Sequence, residues 1–211
     1  MDSETLDLII RGRPTILEIL EDRGYNVDSY KGATAETLQK FATTSVQLLK
    51  IQAEHENGMR VTVLYWVEGM VRLRLESELS KFWAEENADR YDPEKDEIII
   101  IMSEPFHDAF HLHAAKQWNI RKARVTFFQL KNLISNPAKH SMVPPHRKLS
   151  PEEIQSVVSS LHIKSKNEFP HIKYHIDMQA RVHGLVPGDV VEIRRPSETA
   201  GEYTSYRVCL I

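Results

Sequence analysis

The chain has 211 residues, of which 41% are hydrophobic, 27% charged and 8% aromatic, and this composition excludes a mainly disordered or collagen-like protein. Its longest apolar run, residues 98–102, is far shorter than the roughly 20 residues of a membrane-spanning helix, so no membrane partner is predicted. The first four residues are acidic and begin no apolar stretch, so no secretory signal is predicted. The net charge is −3, made up of −5 on residues 1–134 and +2 on residues 135–211, and it lacks the basic excess of proteins that hold nucleic acid alone.

The first part of the chain predicts two helices. Pro14 suits the first turn of a helix, where its missing N–H is no loss, and Gly24 suits the left-handed residue that ends one. The inward residues of this helix are predicted to be Ile16, Leu17 and Leu20. A second helix is predicted to begin at Thr34, with Leu38 and Phe41 turned inward.

The hydrophobic period then changes from helical to alternating. Residues 61–67 predict a strand buried on both faces, and residues 71–75, after a turn at Glu68 and Gly69, predict a strand with one wet face. The further predicted elements are a helix at 77–88, a central strand at 98–102, a helix at 106–117 and a strand at 125–128. Alternating helices and strands predict an α/β arrangement for residues 1–134.

Residues 135–211 predict a small α+β module. Residues 142–145 contain two prolines and predict an extended connector, while Ser150 and Glu153 flank a capping-box helix start at Pro151. The apolar stripe of that helix is predicted to contain Ile154, Val157, Val158 and Leu161. A type II turn at Pro187 and Gly188 then leads to a strand at 190–193, a loop at 195–201 and a final strand at 203–210, which form a C-terminal hairpin.

Catalytic and metal patterns are weak. His107 and His111 have the i, i+4 spacing of zinc hydrolases, but Asp108 stands where such enzymes carry a glutamate base. None of the thirteen lysines follows an acidic residue by two positions, as the acid-x-Lys pair of a magnesium nuclease requires. The only cysteine, Cys209, excludes an intrachain disulfide, favours a reducing compartment and is interpreted as a core residue. The sequence therefore predicts no catalytic residue, metal ligand or cofactor.

Four segments of the C-terminal half closely resemble one family. They are residues 139–146, 149–153, 188–201 with the block Arg-Pro-Ser-Glu-Thr-Ala-Gly, and 206–208. The family is the fifth subunit shared by the eukaryotic nuclear DNA-directed RNA polymerases, whose C-terminal module is similar to a small subunit of the archaeal RNA polymerase. Arg13, Thr15 and residues 22–25 resemble the first helix and turn of that family. Residues 103–105 and 177–184 depart from the family pattern and indicate a diverged member.

The resemblance implies an α+β fold, with an N-terminal α/β nuclease-like jaw domain at residues 1–134 and a small C-terminal α+β assembly domain with a β-hairpin at residues 135–211. It implies a non-catalytic structural subunit of a multisubunit DNA-directed RNA polymerase. The implied partners are the largest subunit, other polymerase subunits and downstream duplex DNA, which the lower jaw contacts weakly and without sequence preference. The implied location is the nucleus, or a cytoplasmic viral factory or virion if the source is a large DNA virus.

The resemblance also implies particular contact residues. The partner interface comprises Arg194, Arg195, Pro196, Ser197, Glu198, Thr199, Ala200, Gly201, His140, Pro144 and His146. Pro105 is implied as a DNA-proximal loop tip. Simpler interpretations stay open: a plain hairpin turn at 195–201, a solvated strand end at Arg194 and Arg195, and a solvent-facing turn for the basic residues Arg121, Lys122 and Arg124.

Two other function classes remain as alternatives. One is a divergent metal-dependent nuclease, which a small α/β domain can host. The other is a free adaptor that uses the C-terminal module to bridge transcription factors.

Overall fold

The computed structural model describes residues 2–84 and 91–211. The chain forms two compact units, Met1–Asn136 and Pro137–Ile211, whereas the sequence places the division after residue 134. Each unit has a mixed four-stranded sheet and helices, which confirms the predicted α+β class.

The N-terminal unit has a sheet of order β1-β2-β3-β4. Its elements are α1 (Ser3–Asp22), α2 (Ala35–Thr44), β1 (Ile51–Glu54), β2 (Arg60–Trp66), α3 (Leu75–Phe82), β3 (Asp96–Met102), α4 (Asp108–Arg121) and β4 (Arg124–Gln129). Strands β2, β3 and β4 are parallel, and β1 is an antiparallel edge strand that the sequence pattern did not predict. Every residue of β3 is buried, so the predicted central strand is confirmed.

The first helix begins eleven residues before the predicted start at Pro14. Asp2 caps it by accepting a hydrogen bond from the Thr5 N–H at 2.7 Å, and Pro14 lies in the interior of the helix. The prediction was wrong because the apolar face already contains the buried Ile9, and burial of that longer face outweighs the one hydrogen bond that Pro14 cannot donate. Gly24 does end the helix, at φ 88°.

The predicted strand at 71–75 is instead a 3-10 turn, Val71–Leu73, followed by α3. Val71, Leu75 and Leu79 are spaced by four and are all buried, while Leu73 is 76% exposed. The same residues therefore satisfy a helical period, and the alternation alone was ambiguous. The predicted helix at 77–88 corresponds to α3, and its last four residues lie outside the described part of the chain.

The second helix is capped as predicted. Thr34 accepts a hydrogen bond from the Thr37 N–H at 3.3 Å, and Leu38 is buried. Phe41, in contrast, is exposed, because Ala42 occupies the inward position one residue later.

The C-terminal unit has a sheet of order β5-β7-β8-β6. Its elements are β5 (His146–Lys148), α5 (Pro151–Ser160), β6 (His171–Lys173), α6 (Met178–Val182), β7 (Val190–Ser197) and β8 (Gly201–Leu210). The core under α5 contains Leu149, Phe169, Val190 and Val208, against which Ile154, Val157 and Val158 pack. Leu161, which was predicted to belong to the apolar stripe, is half exposed, so the prediction was wrong for this residue.

The local signals of this unit are largely confirmed. Ser150 and Glu153 form both hydrogen bonds of the capping box, at 3.2 and 2.8 Å. The Asp189 N–H donates to the Val186 carbonyl at 3.0 Å with Gly188 at φ +98°, which is the predicted type II turn. The predicted extended connector at 142–145 is wrong in its first half, because the Val143 N–H closes a turn on the His140 carbonyl at 2.8 Å. No helix within the described ranges is long and apolar enough to cross a membrane.

Two buried carboxylates of β3 have cationic partners. Arg60 forms a bidentate pair with Asp96, at 2.7 and 2.8 Å. Arg23 Nη1 lies 2.6 Å from Glu97 Oε1, and the Tyr25 hydroxyl donates to Glu97 Oε2 at 3.2 Å. Burial, followed by the negative charge of Glu97, raises the pKa of Tyr25, so its hydroxyl stays a donor. These partners compensate the cost of removing the carboxylates from water.

Glu97→Gln should lower the free energy of unfolding of the N-terminal unit by about 3 kcal/mol, because Arg23 would stay buried without its counter-charge. All three tryptophans, Trp66, Trp83 and Trp118, belong to this unit, so urea unfolding followed by tryptophan fluorescence reports it selectively. The exposed Glu94→Gln is the matched control and should change the stability by less than about 0.5 kcal/mol. Equal stability of the two variants would contradict the assignment.

Candidate subunit-docking surface

The β7–β8 hairpin extends beyond the rest of its own sheet. The two strands pair from Val190↔Val208 to Ser197↔Gly201. Strand β5 pairs with β7 only as far as Ile193, and β6 pairs with β8 only at Val208 and the next two residues. Residues 194–204, here called the distal hairpin, therefore form a two-stranded ribbon with no third strand on either side in the described chain.

Burial changes sharply along this ribbon. All four residues from Val190 to Ile193 are buried, whereas Arg194, Arg195 and Pro196 are exposed. On the other strand, Tyr203 is 60% exposed. Since exposed aromatic side chains are enriched at protein interfaces, the distal hairpin is the candidate docking surface.

The predicted loop at 195–201 is much shorter than expected. Arg195, Pro196 and Ser197 belong to β7, and Gly201 begins β8 at φ +73°, so only residues 198–200 lie between the strands. Ser197 Oγ accepts a hydrogen bond from the Ala200 N–H at 3.3 Å, which tightens the turn. The turn interpretation of the Ser-Glu-Thr-Ala-Gly block and a contact role are compatible, because the turn residues Glu198, Thr199 and Ala200 are all exposed.

The two arginines of the distal hairpin have different surroundings. Arg194 Nε donates to Glu192 Oε1 at 2.8 Å, and Arg147 Nη2 donates to Glu192 Oε2 at 3.3 Å. Burial would raise the pKa of Glu192, but the hydrogen bonds and charges of these two arginines bring it below its ordinary value. Arg195 has no ion pair within the described residues. Arg195 is therefore the cation of this surface that a partner can use.

His146 and Pro144 lie at the foot of the distal hairpin. His146 pairs with Ile193 across the β5–β7 ladder, its Nδ1 is 2.6 Å from the Pro144 carbonyl, and its ring stacks on His183 with centroids 5.8 Å apart. Burial lowers the pKa of His146 below its ordinary value. His140 is exposed and accepts a hydrogen bond from the Met142 N–H at 3.2 Å. These hydrogen bonds and the pairing of β5 with β7 fix the course of residues 140–146.

Arg181 is a structural residue that the sequence pattern did not single out. It lies in α6, 7% exposed, and burial lowers the pKa of its guanidinium to about 10 despite the nearby charge of Asp177. Asp177 caps the same helix, accepting from the Gln179 N–H at 2.8 Å. The signal was present in the sequence, since Asp177 and Arg181 are four residues apart, the spacing that brings an acidic and a basic side chain together on a helix.

Pro105, which was predicted to lie near DNA, is exposed in the loop after β3. Its neighbour Glu104 turns inward and binds Arg72, with the two side chains 3.2 Å apart. In the basic cluster, Lys122 ends α4 in the left-handed region and lies 5.5 Å from the Trp118 ring, and Arg124 contacts the Met59 sulfur at 3.4 Å. Two of the three cluster cations therefore have local contacts.

The histidines with zinc-ligand spacing and the single cysteine have structural roles. His107 caps α4 by accepting a hydrogen bond from the Ala109 N–H at 3.2 Å, and the ring of His111 lies 4.8 Å from that of Phe106. Burial raises the pKa of Cys209 to about 12, so its thiol is neutral and unreactive. In residues 2–84 and 91–211 there is no group of three or more residues that could hold a metal ion.

Comparison with known proteins relates the C-terminal unit to one family. Residues 135–209 match the family described as RNA polymerase Rpb5, C-terminal domain. The chain is 24% identical over 211 residues to the DNA-directed RNA polymerases I, II, and III subunit rpabc1 of Dictyostelium discoideum, covering 98% of this chain and 100% of that relative. It is 25% identical over 202 residues to the DNA-directed RNA polymerases IV and V subunit 5B of Arabidopsis thaliana, covering 92% of this chain and 86% of that relative. The resemblance drawn from residues 139–208 is confirmed.

The C-terminal unit should lose stability as the pH falls through and below about 6.5. His146 has its ordinary pKa of 6.5 when unfolded and a lower one when folded, so its contribution is complete above pH 6.5 and is lost as the imidazole becomes protonated. Amide hydrogen exchange of β5 and β7, corrected for the intrinsic pH dependence of exchange, measures this effect. His146→Gln should flatten the dependence, and the exposed His140→Gln should keep it. A wild-type slope in His146→Gln would contradict the assignment.

Proposed function

We propose that the chain acts as an Rpb5-like subunit of a DNA-directed RNA polymerase and that its C-terminal unit docks on the largest subunit of that enzyme. As an Rpb5-like subunit the chain is non-catalytic, so nucleotide addition belongs to other subunits of the complex. Its role is to assemble with them and to extend the enzyme with its N-terminal unit.

The observation that carries the docking proposal is the uncovered distal hairpin. A small unit that buries Val190, Val191 and Val208 completely leaves the continuation of the same two strands in solvent. Conformational entropy opposes such an ordered projection unless contacts compensate for it. A partner surface that covers Tyr203 and pairs with Arg195 supplies those contacts.

The predicted interface residues divide by proposed role into those that contact the partner, one that positions β7, and those that border the partner. Arg195, Pro196 and Ser197 lie on β7, and Glu198, Thr199, Ala200 and Gly201 form the tip. Arg194 joins β7 to the Pro145 carbonyl through its N–H at 3.1 Å and is already paired with Glu192. We therefore assign partner contact to Arg195 and the tip, and a positioning role to Arg194. His140 and Pro144, which precede β5, and His146, its first residue, border the docked partner.

For the N-terminal unit we propose a place beside downstream duplex DNA, as part of the lower jaw. The net charge of −5 on residues 1–134 favours an arrangement in which larger subunits hold the duplex and this unit touches phosphates at few positions. The exposed Pro105 loop is the proposed contact point. The proposed location is the nucleus, with a cytoplasmic viral factory or virion as the alternative.

Arg195→Glu should reduce recovery of polymerase subunits with the tagged chain by roughly tenfold, because it replaces a cation that faces the partner with an anion. The matched control is Lys164→Glu, the same charge reversal at an exposed position of the same unit. The measurement is quantitative mass spectrometry of the material that copurifies from cells. Recovery of polymerase at the wild-type level with Arg195→Glu, or no polymerase with the wild-type chain, would contradict the proposal.

A further inference from the structure

The direction of the backbone groups along β8 follows from its hydrogen bonds. The Cys209 N–H donates inward to the Asp189 carbonyl at 2.8 Å, whereas the Val208 N–H donates outward to the Pro170 carbonyl at 2.9 Å. Since the groups alternate along an antiparallel strand and the register is continuous up to Gly201, Thr204 and Tyr206 also point outward. The backbone N–H and C=O groups of Tyr203, at an odd position, point inward to β7, where Tyr203 pairs with Arg195.

The outer edge of β7 is closed to a further strand. The Arg194 N–H is already bonded to the Pro145 carbonyl. Pro196 occupies the next outward position, where it has no N–H to donate, so β7 keeps its full ladder with β8 but offers a partner no donor.

The outer edge of β8 is open over the same length. Within the described residues, the N–H and C=O groups of Thr204 and Tyr206 have no hydrogen-bond partner, while the Glu202 N–H is used by the Ala200 carbonyl at 2.8 Å. Strand β6 occupies this edge only from Val208 onward. An unprotected row of alternating donors and acceptors is the arrangement to which an extended segment adds as a new strand.

We propose that docking occurs by strand addition, in which an extended segment of the largest polymerase subunit forms backbone hydrogen bonds with the outer edge of β8 at Thr204 and Tyr206. This rests on the docking function proposed above and adds its mode. The added segment continues the row that β6 begins, and β7 takes no part in it.

The charges on the two faces of the hairpin define the chemistry of the segment. One face carries Arg195 and Arg207 and no acidic residue from Val191 outward, since the other positions there are Ile193, Ser197, Gly201, Tyr203 and Ser205. The opposite face carries Glu192 and Glu202 with Arg194. The segment therefore places acidic side chains beside the first face and neutral or basic ones beside the second.

The test removes one outward N–H and leaves the hairpin ladder intact. Thr204→Pro deletes the donor at a position that does not bond β7, as Pro196 already does on the other strand. The matched control, Thr204→Val, keeps both the N–H and the side-chain shape. We expect polymerase recovery to fall roughly tenfold with Thr204→Pro and to stay near the wild-type level with Thr204→Val. Equal recovery with the two variants would overturn strand addition.

Hydrogen exchange on the wild-type complex provides the second readout, which holds even if Thr204→Pro fails to fold. The amides of Thr204 and Tyr206 should exchange quickly in the free chain and at least roughly tenfold more slowly in the complex, whereas the Tyr203 amide should be protected in both. Unchanged exchange at Thr204 and Tyr206 in a complex that still forms would overturn strand addition and leave docking standing. Loss of docking itself would appear as absence of polymerase from the wild-type sample.

Discussion

The backbone ladder between β7 and β8 is the interaction on which the C-terminal unit depends. One continuous register joins the buried Val190 and Val208 to the exposed tip. Because the same hydrogen bonds run through both halves, packing at the base holds the distal hairpin in a defined direction although its own unit does not cover it. A partner then meets a preorganised surface and loses little affinity to the ordering of a flexible loop.

Electrostatics separates the side chains that hold the unit together from those that remain available. Glu192 is buried and binds both Arg147 and Arg194, so these two cations belong to the unit. In the N-terminal unit, the buried Glu97 and Asp96 bind Arg23 and Arg60 in the same way. Breaking such a pair leaves an uncompensated buried charge, which makes these contacts costly to lose. Arg195 lacks an internal partner of this kind in the described chain, and its charge is directed outside the unit.

Local sequence signals succeeded where one short interaction decides the structure. The capping box at Ser150, the cap at Thr34 and the turn at Gly188 each depend on residues within three or four positions of one another. The local signals failed where a strand period and a helix period both fit the same hydrophobic residues. Val71, Leu73 and Leu75 alternate like a strand, but the next inward residue, Leu79, is four positions on and selects a helix. Pro14 resembled a helix start because proline suits the first turn of a helix. The helix begins earlier, at Ser3, because Ile9 is buried by tertiary packing that the local sequence does not reveal.

The sequence by itself determined the family resemblance, the two-part organisation and the residues of the C-terminal hairpin, because motif residues and turn residues act locally. It could not separate Arg194 from Arg195, since they are adjacent and chemically identical, and only the position of Glu192 two residues earlier on the same face makes Arg194 internal. It also could not decide that Pro196 closes one edge while Thr204 and Tyr206 leave the other open. That difference depends on which backbone groups point away from the paired strand, and the register of the folded ladder alone sets this direction.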